Sequence, residues 1–598
     1  MLRKINLVAL LLVIFVTGCD AKKKSPFSQQ RWQQSKWQVK VDNDWYQLLS
    51  INGVTVKELS DKLKRKDFQW RRAIASSFTA TLANIDVEVD DSVMVSLRDS
   101  KGAIVLKELE LTRDKHRQSL VSIDTYPTLP HHHLATCETV TVVNDGKTPI
   151  DVINTKRFID KIEGLIDTTY AYRHRTNYDY KSAFHCLRKT LSENMSQDYL
   201  YREMQKILSN FGDGHLGLLT RNQESLFLPF LVFKTENGYL ALNSDRNAPV
   251  EQSHPFIKSI DGKPLSFWFD IAKLYATKGS PQFYADSLVK QLRYLPKLRR
   301  DAGLPQNDNV VVEFKNKDGS SVIKQELSLL SKRIIYSKWP HTKTQLLDNN
   351  IGYLRIPKMS KETDFIDKAM TRFKNTDGLV IDVRGNGGGR RTILKTLMPY
   401  FLDQGEFYIS NVAKYRITPL DDTPSADGYL ANRYLFPATS TRFTPREQRK
   451  VSEFLSTFTP QWQDAKQTVS DWHVMAHRKS DNAQSFHYKK PVIILMDSIN
   501  FSATDIFLNA FKGRKGFTLL GQASGGGSAR SQYYFLPAVS ADNGWALIKL
   551  ASMLSYKTNG ELIEGSGVQP DELMDYSVSD LTGHTDRMLD RALQLLGK

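Results

Sequence analysis

A serine, a histidine and a carboxylate stand on turns far apart in the chain, and each is of a type that can move a proton or attack a carbonyl. Ser502 lies in SINFSATDIF, residues 498–507, between the apolar run PVIILMDS and the helically spaced run ATDIFLNAFKG. The short apolar run reads as a buried parallel strand, so Ser502 is expected at a strand-to-helix turn. With Asp505 it forms S-x-x-D, close to a capping box that would satisfy amides at the helix start. The same position suits a nucleophile, because helix-start amides stabilise negative charge. His215 lies in GDGHLGL, and Glu564 precedes the Gly-x-Gly turn of GELIEGSGVQPDEL. The loop DVRGNGGG, residues 382–389, offers bare amides that a carbonyl oxygen can approach without side-chain obstruction, as an oxyanion hole requires. It is not a phosphate loop. It lacks G-x-x-x-x-G-K-[ST], and the third glycine of G-x-G-x-x-G would fall on Arg390.

Bulk properties restrict the setting. A chain of 598 residues is too long for one core and is expected to form several domains. The basic MLRK and the apolar INLVALLLVIFV, followed by VTGC, read as an export leader over residues 1–18. V-T-G-C resembles the bacterial lipobox, which marks Cys19 for lipidation. Asp20 resembles an inner-membrane retention signal, and Lys22, Lys23 and Lys24 would face anionic headgroups. The expected location is the cell envelope, anchored by lipid and facing the periplasm, with the inner membrane favoured over the outer. A net charge of +17 also raises nucleic acid as a partner. No RNA motif or zinc-finger spacing supports that, and none is expected. Cys137 and Cys186 are one possible pair in an oxidising compartment. PHHHLATC, residues 130–137, lacks a supporting CxxC or HExxH, so no metal and no cofactor are expected.

An internal repeat organises the chain. LLSINGVTVKEL (48–59) resembles FIKSIDGKPLSFW (256–268), and VMVSLRDSKGAIVLKELEL (93–111) resembles VVVEFKNKDGSSVIKQELSL (310–329). Each copy reads as strand, Asn-Gly or Asp-Gly turn, helix and hairpin. The pattern resembles PDZ-like modules, which bind extended peptide along a sheet edge. The expected organisation is a tether over 19–39, a first PDZ-like repeat over 40–115 and a helical block over 150–225. A second repeat over 226–335 and an α/β core over 345–590 follow, the core carrying a less regular, partly helical insertion at 404–488.

The ordered set DVRGNGGG, SINFSATDIF, LLGQASGGGS and EGSGVQPD, preceded by helices ending in DGH, resembles the tricorn and C-terminal processing peptidase family of serine proteases. The resemblance spans about residues 150–585 and implies a multidomain α/β protein. Its core would be ClpP/crotonase-like, joined to a helical block and two PDZ-like β-rich modules. It assigns Ser502 as nucleophile, Gly387 or Gly388 and the Ala503 amide as oxyanion donors, and Asp505 in place of the usual glutamate. The processing-peptidase branch uses a lysine in the downstream glycine-rich stretch. GQASGGGSAR holds none, and Lys512 and Lys515 lie at the helix end. The tricorn-like branch uses a histidine and a distal carboxylate, places that His215 and Glu564 occupy, with Gly214 where tricorn has a helper serine. The expectation is a Ser/His/Glu endopeptidase acting on exported or unfolded polypeptide. The alternatives are a catalytically silent peptide-binding envelope lipoprotein and, more remotely, a crotonase-like acyl-CoA enzyme.

Overall fold

The structure is a computed structural model and describes residues 24–33, 36–66, 74, 78–83, 85–87, 89–112, 115, 137, 148–220, 224–335, 340, 342–417, 428–479, 486–540 and 546–598. The expected leader, Cys19 and the run His131 to His133 lie outside these residues. Among the described residues no helix is long and apolar enough to cross a membrane.

The repeat is structural. The first module orders its strands as Gln29–Gln33, Lys36–Val41, Asp44–Ile51, Ser92–Arg98 and Ile104–Glu110. The second orders Leu231–Thr235, Gly238–Leu242, Phe256–Ile260, Asn309–Lys315 and Val322–Ser328 in the same antiparallel sequence. Both place a register shift two residues before the turn, between Leu48 and Ser50 in one and between Ile257 and Ser259 in the other. Both turns place two residues at positive φ, Asn52 and Gly53 or Asp261 and Gly262. The turn side chain then accepts a backbone N–H from the next strand, Met94 at 2.9 Å or Val311 at 3.1 Å. The first module therefore starts inside the expected 19–39 tether. Its second strand, Lys36–Val41, alternates buried and more accessible residues, and Trp37 and Val39 join its core.

Three helices follow, Val152–Thr169, Tyr180–Lys189 and Gln197–Ser209. They are capped by Asp151, Asp179 and Ser196, each accepting the N–H three residues on. Each buries an apolar stripe in a shared core. Cys186 on the second helix is disulfide-bonded to Cys137. The block ends in the strand Gly217–Thr220, which pairs with Ala546–Ala551, itself paired with Ser531–Leu536. That three-stranded sheet attaches the helical block to the core.

The core is a sheet in which Ile351–Arg355, Gly378–Asp382, Val492–Met496, Phe517–Gly521 and Glu572–Leu573 run parallel, with Gln345–Leu347 antiparallel at one edge. The first three of these parallel strands and the last three residues of the fourth are buried on both faces, so they read as continuous apolar runs. The segment 404–488 is more regular than its sequence suggests. Phe407–Tyr415, Phe436–Pro437 and His473–Arg478 build a second sheet with Met553–Tyr556. Its strands carry inward polar residues that mask the alternation: Ser410 and Asn411 are fully buried, and Asn411 donates to Tyr556 O at 2.7 Å. The helix Ala503–Phe511 lies against this layer, where Tyr408 donates to Ala510 O (2.8 Å) and Asn509 to Ser410 O (3.2 Å).

One buried ion network ties the glycine loop to the chain end. Arg384, 1% exposed, donates to both oxygens of Asp382 and to both oxygens of Asp586, at 2.7 and 2.8 Å for the latter. Asp586 in turn caps the helix Arg587–Leu595. Replacing Arg384 by Met leaves Asp382 buried with less compensation, so a loss of about 3–5 kcal/mol is expected. Urea unfolding checks this, and a change below about 1 kcal/mol would show the network to be energetically idle.

Candidate active site

Ser502 stands at the N-terminus of Ala503–Phe511 with φ 62° and ψ −115°, a backbone conformation unusual for a residue with a Cβ. The preceding turn forces it. Asn500 accepts the Asp497 N–H through Oδ1 (2.8 Å) and donates to Val383 O (2.6 Å), fixing the exit of the Val492–Met496 strand. Ser502 makes no side-chain capping bond, which corrects the capping reading of S-x-x-D. Asp505 accepts from Ser524 Oγ (2.5 Å) and the Gly526 and Gly527 amides (both 3.0 Å), and the Ser502 backbone N–H also favours its charged form. Burial pushes its carboxyl up to about 7 against those hydrogen bonds.

The Ser502 hydroxyl instead meets His215, with Oγ and Nε2 3.1 Å apart. The imidazole stacks on Phe501, centroids 4.7 Å apart, and Phe501 stacks on Phe283 at 4.8 Å. Three glycines make room for that column. A Cβ on Gly214 would lie 2.6 Å from Phe501, one on Gly525 2.9 Å, and one on Gly527 2.3 Å, with His215 Cε1 3.1 Å away. Gly214 therefore excludes a helper serine by shape. The lysine-free glycine stretch makes room for the Phe501–His215 stack. Lys512 is engaged elsewhere, with Asp571.

Two carboxylates flank the far ring nitrogen. Nδ1 is 3.7 Å from Asp213 Oδ1 and 3.8 Å from Glu564 Oε2, so neither makes a hydrogen bond and Nδ1 has no partner. Burial pushes the imidazole down to about 3, despite the Asp213 charge. It pushes Glu564 up to about 8, opposed by Arg175 and the Ser528 amide. Asp213 is raised to about 6 by burial and by Glu564. The resting histidine is thus neutral, the form a general base needs. Asp213, His215 and Glu564 also offer three donor atoms within 4.8 Å of one another, a grouping that could hold a metal. The contact of Nε2 with a serine at a strained turn favours proton transfer over ligation.

The glycine loop closes the site from the other side. A Cβ on Gly388 would lie 2.5 Å from Phe501 O and 2.8 Å from Ser502 Cβ, so only glycine permits this approach. The Gly388 N–H is donated to Asn386 Oδ1 (3.0 Å), which also accepts from Thr504 Oγ1 (3.0 Å). At rest the Gly388 amide is therefore engaged, a departure from its expected part as a donor. Ala503, in the helix's first turn, has an N–H with no intrahelical acceptor, and Gly387 is exposed. Sequence reasoning missed Asp213, Phe501, Phe283 and Asn386. Only the D-x-H spacing of Asp213 was a visible signal.

Residues 350–574 match the family model described as peptidase family S41. No curated protein matches the chain. Among solved structures, mature CPAF aligns with 15% identity and a TM-score of 0.55 over 75% of this chain and 98% of its own. Mature CPAF complexed with lactacystin aligns at 15% and 0.54 over 75% and 99%. The tricorn protease aligns at 14% and 0.31, over 86% of this chain and 40% of its own. This S41-like segment supports a serine peptidase. The chain is accordingly a serine-type peptidase. The S41-like segment holds Ser502, Glu564 and the glycine loop, whereas His215 arrives from the helical block outside the matched region.

Two outcomes test this packing. Gly527→Ala places a methyl against Phe501 and His215, so a stability loss of about 1–3 kcal/mol and at least a roughly hundredfold slower serine reaction are expected. Melting and probe labelling read these separately, and unchanged labelling would contradict the packing argument. For Glu564, a folded-state value above the unfolded one means that the folded protein binds the proton more tightly. Its ionisation therefore lowers stability as pH rises from about 4.5 to about 8. Glu564→Gln cannot ionise. Its Tm should exceed wild type above pH 8, with the difference growing by at most about 1.4 kcal/mol per pH unit across that window. A variant less stable at every pH would refute the buried-acid assignment.

Proposed function

We propose that the protein is a serine endopeptidase that cleaves extended or unfolded polypeptide in the cell envelope through Ser502, His215 and Glu564. The observation that carries this reading is the 3.1 Å Ser502–His215 contact. A serine hydroxyl is a poor nucleophile until a base takes its proton. In this reading His215 Nε2 accepts that proton as Oγ bonds to the scissile carbonyl carbon, and the carbonyl electron pair moves onto oxygen. Amides at Ala503 and in the glycine loop hold the oxyanion, where losing one donor typically costs about 3 kcal/mol. Collapse releases the amine, which takes the proton from Nε2. Water, deprotonated by the same nitrogen, then frees the acid. The buried carboxylates stabilise the transient imidazolium, with Glu564 in the orienting place and Asp213 beside it.

The two six-stranded modules suit peptide capture as PDZ-like units, and the apolar leader with Cys19 suits a lipid-anchored, periplasm-facing protein. A silent peptide-binding protein would have no use for a serine in left-handed backbone against a neutral, buried histidine.

Fluorophosphonate labelling tests the reading. Wild type should label, and Ser502→Ala and His215→Ala should lose at least about a thousandfold in labelling rate. The wild-type rate should rise with pH toward about 8 as Glu564 ionises. Labelling that survives His215→Ala would remove the triad.

A further inference from the structure

The site's surroundings are cationic, with Arg433 and Lys549 both acting on the His215 imidazole. Arg433 ends the short turn Ala431–Arg433, and Tyr434 follows at φ 55°, a left-handed reversal that brings the guanidinium back over the glycine loop. Its Nη1 lies 3.5 Å from Gly389 O, and its Nε is buried with no hydrogen-bond partner. Arg391, 3% exposed, sits beneath it, donating to Asn411 Oδ1 (2.8 Å), Arg433 O (3.4 Å) and Ser528 Oγ (3.2 Å). Lys549 lies across the sheet from Gly217 on one side and Tyr533 on the other, and Tyr533 also acts on the Arg433 charge. Directly opposed residues share a sheet face. Tyr533 is 52% exposed, so Lys549 belongs to the outward row, beside the strand that begins two residues after His215. The charges of both Lys549 and Arg433 reach the His215 imidazole.

Among the described residues no carboxylate pairs directly with these cations, although the charges of Asp213 and Glu564 act on Lys549 against the effect of its burial. Among the described residues, Arg390, Arg391, Arg433 and Lys549 form no ion pair. Cations elsewhere in the S41-like segment do, as in Arg478–Glu447, Arg514–Glu406 and Lys512–Asp571. Burial and the neighbouring Arg530 and Arg390 push Arg433 down to about 10, still charged at neutral pH. A planar guanidinium held over the loop beside the nucleophile is suited to a carboxylate arriving with the substrate. Resting on the peptidase reading, we propose that Arg433, assisted by Lys549, forms a subsite for a substrate carboxylate next to the scissile bond. A glutamate or aspartate side chain and a free C-terminus are the two sources of that group.

Binding to Ser502→Ala tests the subsite without requiring turnover. Fluorescent decapeptides with Glu or Gln scanned through each position, each made with a free or amidated C-terminus, distinguish the two sources. At one position, Glu should bind about ten- to a hundredfold tighter than Gln. The ratio should fall toward one in Ser502→Ala/Arg433→Gln, recover partly in Ser502→Ala/Arg433→Lys, and shrink in Ser502→Ala/Lys549→Gln. Loss of affinity on amidation, with no side-chain preference, would assign the carboxylate to the terminus. Equal binding of Glu, Gln, acid and amide peptides overturns the proposal, as does a Glu preference that Arg433→Gln leaves intact. Fluorophosphonate labelling of wild type is read separately. Its absence would refute the peptidase reading, whereas its presence with indifferent binding would refute only the subsite.

Discussion

Everything at the site depends on how one phenylalanine is packed. Phe501 precedes the nucleophile and stacks against His215 on one face and Phe283 on the other. The column exists only because Gly214, Gly525 and Gly527 have no side chains to fill the same space. Stacking fixes the plane of the imidazole, and with it the direction of Nε2 toward Ser502. The backbone cost of a serine at φ 62° is of the order of 1–3 kcal/mol and persists only where surroundings over-determine it. Here the Asn500 bonds, the close approach of Gly388 and the buried Ala503 helix supply that determination.

The electrostatics follow from the same packing. Removing water from the histidine and two carboxyls raises the cost of each charged form, so the resting cluster settles with a neutral imidazole and a reluctant Glu564. A proton accepted from serine changes the balance. The imidazolium then sits beside carboxylates in a medium where a charge pair interacts far more strongly than in water. The 3.7 and 3.8 Å separations at Nδ1 are short enough for this attraction, and small adjustments would convert one of them into a hydrogen bond. Stabilisation is thus weak in the ground state and strong when charge develops, the differential on which catalysis depends.

Much of this was legible in the sequence because it is written in local patterns. The buried parallel strands are continuous apolar runs, the Asn-Gly and Asp-Gly turns announce both hairpin repeats, and the glycine loop is bare of side chains. What escaped was set by tertiary context. S-x-x-D has capping spacing, yet the Asp505 carboxyl is shared with the 524–527 loop and the Ser502 side chain makes no cap bond. The 404–488 segment looked irregular because its buried polar residues, Ser410 and Asn411, find partners on other elements, His477, Arg391 and Tyr556. Asp213 and Phe283 join the site only once the helical block and the second module have docked.

Docking of that second module reaches the chemistry directly. The helix Pro281–Gln291 is capped by Ser280, whose Oγ donates to Gly525 O at 2.6 Å. Gln282 reaches Ser524 O (2.6 Å) and Ser566 O (3.2 Å), and Phe283 closes the aromatic column. The first turn of one helix therefore holds the 524–527 stretch, the Glu564 turn and the Phe501 ring together. The core grips the same stretch from the other direction, because Asp505 accepts from Ser524 Oγ and the Gly526 and Gly527 amides. The second module is thus a structural part of the site, since its helix start packs against the ring on which the His215 imidazole stacks.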